Sequence, residues 1–65
     1  MLKALIIDDE HLARQNLKAL LHQFSNILEI VGEANSVESG TILIEETDFD
    51  LVFLDINLSD GSGFN

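Results

Sequence analysis

Asp8 and Asp9 end the apolar run of ALIIDDE, and Asp55 ends that of LVFLDIN. Each run is short, aliphatic or β-branched, and charged only at its C-terminal end, the pattern of a strand buried on both faces. In open parallel sheets ligands collect beyond the carboxyl ends of the strands, so carboxylates placed there point to a cation and an anionic ligand. Three ionised carboxylates in one crevice repel one another, and a hard divalent cation removes the conflict. Mg²⁺ takes oxygen ligands at about 2.1 Å and keeps several waters, so a few protein oxygens suffice. The expected set is Asp9 and Asp55 as direct ligands, Asp8 through water, and the backbone carbonyl of Asn57. A carboxylate beside such an ion is also a nucleophile toward phosphorus, forming an aspartyl-phosphate. Asp55, alone at the end of its run, is the candidate nucleophile. The plainer alternative is that these acids only cap a helix and a turn.

Elements must place these residues together. Lys3 to Ile7 reads as a strand and Asp8-Asp9 as the turn out of it, with Asp9 able to cap the next segment and Glu10 favourable in a first helical turn. From Glu10 to Phe24, Ala13, Leu17, Leu20, Leu21 and Phe24 fall on one helical face, with Arg14, Gln15, Lys18, His22 and Gln23 largely opposite. Ser25-Asn26 breaks that helix. Ile27 to Ala34 reads as a second strand, alternating Leu28, Ile30, Gly32 and Ala34 against outward Glu29 and Glu33, which suits a sheet edge. Asn35-Ser36 offers a cap for a helix over Val37 to Glu46, weakened by Gly40. Thr47 to Asp50 is a loop, and Leu51 to Asp55 the third strand. The tail INLSDGSGFN is turn-rich. Strand–helix–strand–helix–strand at these lengths predicts an α/β fold with two right-handed crossovers and a parallel sheet, of order 2-1-3 if the chain doubles back after the first strand. Strands one and three are then neighbours, about 4.8 Å apart.

Composition narrows the function classes. The chain has 65 residues, 3 basic and 12 acidic, for a net charge of −9. Alone it would repel nucleic acid and anionic membranes. It has no cysteine, hence no disulfide or thiolate zinc site. No secretory leader precedes the first strand and no apolar run approaches membrane-spanning length, so a cytoplasmic protein is expected. Glu29, Glu33, Glu38, Glu45, Glu46 and Asp48 read as ordinary solvated acids. His11 reads as a surface residue able to tune access to the acids, and His22 as a solvated helix residue. DGSG reads as a tight turn in preference to an anion-binding nest, and without G-x-G-x-x-G after the first strand dinucleotide binding is rejected.

LKALIIDDEHLARQNLKALL, VGEANSVESG and DLVFLDINLSDGSGFN together resemble the receiver domain of bacterial response regulators. The DDE-x-x-AR opening looks most like regulators of the LytR/AlgR family, which carry a LytTR-type DNA-binding output. The resemblance covers all 65 residues. It implies a flavodoxin-like (CheY-like) fold, whose five strands are ordered 2-1-3-4-5, here truncated to the first three. It implies Asp55 as phosphoacceptor, Asp8 and Asp9 as the acidic pair for Mg²⁺, Asn57 as carbonyl ligand, and a sensor histidine kinase as phosphodonor. It makes the chain a signalling module and not an enzyme, with DNA bound through an output domain in a parent protein. Ser59 stands where the family usually has proline, leaving the following loop less rigid. The family's Thr or Ser from a fourth strand and Lys from a fifth have no counterpart; Lys3 lies at the wrong end of the sheet and Lys18 far along the first helix. Residues 1–65 thus read as the N-terminal half of a receiver domain without an output domain, phosphorylation being impaired. The outer edge of LVFL would lack a partner, so a truncation product, or a homodimer paired or swapped across that edge, is expected. Two rivals remain: a phosphatase-like hydrolase, disfavoured by Asn57 standing where a second acid is wanted, and a non-phosphorylating metal-binding or protein-interaction module.

Overall fold

In a computed structural model, whose described residues are 1–55, the apolar runs become a three-stranded parallel sheet. The elements are β1 (Leu2–Asp8), α1 (His11–Leu21) continued by a 3₁₀ turn over His22–Phe24, β2 (Leu28–Ala34), α2 (Val37–Glu46) and β3 (Leu51–Asp55). The order is β2-β1-β3, the one reached when the chain doubles back after the first crossover. β1 is central, and Ala4, Leu5, Ile6, Ile7 and Asp8 are all buried. A strand flanked on both sides and covered on both faces has no polar position to offer, which is why its sequence does not alternate.

β2 departs from the expected pattern. Its ladder to β1 runs Leu2–Leu28, Lys3–Glu29 and Ala4–Ile30, then resumes at Leu5–Gly32 and continues through Ile6–Glu33 to Ile7–Ala34. Val31 is the extra residue of a β-bulge. Since side chains alternate along a strand, one extra residue inverts the faces beyond it. Leu28 and Ile30 therefore do not share a face with Gly32 and Ala34, and the two glutamates do not point the same way.

The helices also differ in detail from the sequence reading. The α-helical part of the first ends at Leu21, before Phe24. Leu20 and Phe24 remain largely exposed, whereas Leu21 is buried. Asp9 does not cap it: Glu10 occupies the cap position with no side-chain cap bond. Ser36 does cap α2, its Oγ accepting from the Ser39 backbone N–H at 3.1 Å. Gly40 is explained by packing: a Cβ there would lie 2.9 Å from Ile7 Cδ1 and 3.0 Å from its Cγ2. The glycine costs helix propensity but lets α2 lie directly on the central strand.

Candidate functional acidic site

The β1–β3 register decides where the carboxylates meet. At the start of the pair Asp50 makes two bonds to Lys3: its Oδ2 accepts from the Lys3 N–H at 2.7 Å, and its own N–H donates to the Lys3 carbonyl at 2.7 Å. From that clamp the ladder proceeds from Ala4–Leu51 to Asp8–Asp55. The two aspartates are thus directly opposed across neighbouring strands at the C-terminal end of the sheet. Asp50 looked like one more loop acid in the sequence; its role shows only once the strands are paired.

The three acids differ in environment. Asp8 is 4% exposed, and its Oδ1 accepts from the Glu10 N–H at 2.9 Å, closing the turn between β1 and α1. Asp9 and Asp55 are exposed. No ion pair among the described residues reaches any of the three; the pairs present join Lys3 to Asp48, Arg14 to Glu33 and Lys18 to Glu33. Asn57 lies outside the described residues, as do Ser59 and the DGSG turn. His22 is exposed as expected. His11 is exposed too, but its Nδ1 lies 3.2 Å from Arg14 Nη2; a guanidinium has no acceptor, so the arginine donates.

Among the described residues no group of three His, Cys, Asp or Glu side chains is gathered tightly enough to form a ready-made metal cage. The donor chemistry nonetheless fits Mg²⁺, which is usually held by one or two carboxylates while water and substrate oxygens complete its shell. Asp9 and Asp55 offer two exposed, unpaired carboxylates, and buried Asp8 stands beside them. Next to Asp55, a cleft of about 490 Å³ is lined by Ile7, Val37, Gly40, Thr41, Ile44 and Leu54.

Sequence reasoning missed the role of Glu33. It accepts from Lys18 Nζ at 2.8 Å and from Arg14 Nε at 3.2 Å, tying α1 to the edge strand. The hydrogen bond from Lys18 holds its carboxyl below the ordinary value of 4.5, against the opposing effect of burial and with help from the Lys18 charge and from Arg14. A carboxylate acidified by folding stabilises the fold above its unfolded value, and that contribution disappears as pH falls through the folded value. Glu33→Gln is therefore expected to lower Tm near neutral pH, with the difference from wild type closing as the solution is acidified. Thermal melts across that range check it, and a constant difference would sink the assignment. The pair is partly solvated, so the neutral-pH effect belongs to the modest class of surface pairs.

A parallel α/β sheet of order β2-β1-β3 with opposed carboxylates at the carboxyl ends of neighbouring strands has the arrangement of the flavodoxin-like class, in which ligands bind at the switch point of the strand order. The chain belongs to the response regulator receiver domain family, which it matches over residues 4–65. It is 50% identical over 64 residues to the sensory transduction protein LytT of Bacillus cereus, covering 98% of this chain and 26% of that protein. It is 44% identical over 64 residues to the sensory transduction protein LytR of Staphylococcus haemolyticus, covering 98% and 25%. Against the transcriptional regulatory protein BtsR of Escherichia coli K12 it is 44% identical over 63 residues, covering 97% and 26%. The chain thus spans about a quarter of the length of the curated relatives it matches. No solved structure matches it at a significant level. The resemblance to LytR-type receivers drawn from the three motifs holds. No helix among the described residues is long and apolar enough to cross a membrane.

Proposed function

We propose that this chain is the acid-bearing part of a cytoplasmic two-component receiver in which Asp55 accepts a phosphoryl group from a sensor histidine kinase. The observation that carries the reading is the register that sets Asp55 opposite Asp8 at the mouth of the sheet. A carboxylate oxygen of Asp55 attacks phosphorus, the P–N bond to the donor histidine breaks, and the electron pair and a proton end on the imidazole. Asp8, Asp9, Asp55 and the carbonyl of Asn57 are the residues that would hold Mg²⁺, which when bound neutralises charge developing on the phosphoryl oxygens. The chain itself takes up phosphate once per cycle and is not assigned turnover. By likeness to the transcriptional regulator among its relatives, the phosphorylated state is relayed in the parent protein to a DNA-binding output. With a net charge of −9, this chain is not itself the DNA-binding surface.

The test is intact mass after incubation with Mg²⁺ and acetyl phosphate. A phosphoryl adduct supports the reading; measurable Mg²⁺ binding without any adduct leaves a non-phosphorylating metal-binding module in its place.

Self-association through the outer edge of β3 is part of the same proposal. Among the described residues β3 pairs only with β1, and Leu54 beside that edge is 66% exposed. An apolar strand edge of this kind pairs readily with a second copy. Sedimentation velocity is expected to show a dimer that Leu54→Lys weakens, and a wild-type monomer at high micromolar concentration would overturn this part.

A further inference from the structure

Among the described residues Arg14 is the one side chain that bonds to the acidic turn, the first helix and the edge strand at once. Its Nη1 donates to the backbone carbonyl of Asp8 at 3.0 Å, its Nε to Glu33 at 3.2 Å, and its Nη2 meets His11 Nδ1 at 3.2 Å. The side chain is only 14% exposed. An arginine needed simply to pair with Glu33 has no reason to reach β1, and Lys18 already makes the shorter bond to that carboxylate, at 2.8 Å.

The bonded carbonyl belongs to the peptide unit joining Asp8 to Asp9. The next amide along is also fixed, because the Glu10 N–H donates to Asp8 Oδ1 at 2.9 Å. The Glu10 carbonyl in turn accepts from the Arg14 N–H at 3.0 Å. Rotation of the Asp8–Asp9 peptide plane would break the bond between the Asp8 carbonyl and the guanidinium, so the fork opposes that rotation and holds the backbone that carries Asp9. The cation does so without occupying either carboxylate, because its charge is met by Glu33.

Resting on the receiver reading above, we propose that Arg14 is a positioning residue for the metal site: it locks the acidic turn that carries Asp8 and Asp9 while leaving the Asp9 carboxylate and Asp8 Oδ2 to a divalent cation. Supporting groups of this kind commonly change metal affinity by about 10- to 100-fold when removed. Calorimetric titration with Mg²⁺ alone tests it on wild type, Asp9→Asn, Arg14→Met and Lys18→Met, each checked for folding by circular dichroism. Arg14→Met keeps an apolar stem in place and deletes all three bonds; Lys18→Met removes a neighbouring ion pair that does not touch the turn. Arg14→Met is expected to weaken Mg²⁺ binding about tenfold, and Lys18→Met to bind as wild type while melting lower. Wild-type affinity in Arg14→Met overturns the inference and leaves the metal site standing. Equal weakening in both variants also overturns it, since the effect then follows from loosening α1. A wild type that binds no Mg²⁺, or an Asp9→Asn that binds normally, defeats the receiver reading itself. If Arg14→Met does not fold, Arg14→Lys takes its place: one ammonium cannot hold the carbonyl, Glu33 and His11 together, so a severalfold loss is expected and wild-type affinity overturns the inference.

Discussion

Asp55→Asn is expected to fold as wild type and to take up no phosphoryl group from acetyl phosphate. Asp55 is exposed and forms none of the ion pairs that join the elements. The backbone ladder that places it runs through Asp8–Asp55 and four further pairs, none of which needs its carboxylate. Asparagine has the same shape, so the strand should be undisturbed. What changes is the reacting atom: an amide oxygen is a far poorer nucleophile toward phosphorus than a carboxylate oxygen. The loss should be complete by intact mass, with circular dichroism unchanged. An adduct of equal yield in Asp55→Asn would move the acceptor to another carboxylate, Asp9 being the exposed neighbour. A general loss of folding would mean that Asp55 has a structural role its surroundings do not reveal.

The second large effect is expected in the centre of β1. Leu5 is 0% exposed and, with Ile6, one of the two largest fully buried side chains. It fills the space left by Gly32, whose added Cβ would lie 3.2 Å from Leu5 Cδ2 and 2.8 Å from Leu43 Cδ1. Leu5→Ala deletes apolar contact there and opens a cavity, a change that costs about 2–5 kcal/mol in well-packed cores. At roughly 0.05–0.15 kcal/mol per residue, a domain of this size has about 3–10 kcal/mol in all, and so short a chain, which buries proportionally little of its surface, sits at the low end. The variant should therefore be largely unfolded at room temperature, whereas Leu12→Ala, at a position 73% exposed, should stay within about 0.5 kcal/mol of wild type. Urea titrations followed by circular dichroism compare them. Equal midpoints would show that the core does not centre on β1.

Much of this architecture could be read from the chain because the relevant signals are local. The unbroken apolar runs mark strands covered on both faces, Ser36 marks the start of α2, and β3 lies over Leu51–Asp55 as expected. Two short crossovers make the sheet parallel, and the family resemblance implies the order that it takes. What escaped was set by tertiary partners. Gly40 reads as a weak point in a helix until Ile7 is seen beneath it. Asp9 reads as a cap until Asp8 is found closing the turn with its own carboxylate. Glu33 reads as a solvated acid because its partners Arg14 and Lys18 stand 19 and 15 residues away in sequence. Asp8, Asp9 and Asp55 stand out as candidates by type and position; the opposition of Asp8 and Asp55 depends on a register that Asp50 begins, which no local pattern announces.

The bulge at Val31 sets a rule about length. Ahead of it, Glu29 is level with Lys3; beyond it, Glu33 is level with Ile6 and not, as an even ladder would have it, with Ile7. Ile7 faces α2 through Gly40, and the cations that receive Glu33 belong to α1. The same residues paired in an even ladder, without the bulge, would set Glu33 level with Ile7 and hand its carboxylate to the wrong helix, among Leu43 and its apolar neighbours. Within this strand, substitutions are therefore cheaper than a single-residue insertion, whereas loss of Val31 only straightens the ladder and keeps Glu33 level with Ile6. An insertion here should survive only when a deletion nearby restores the count.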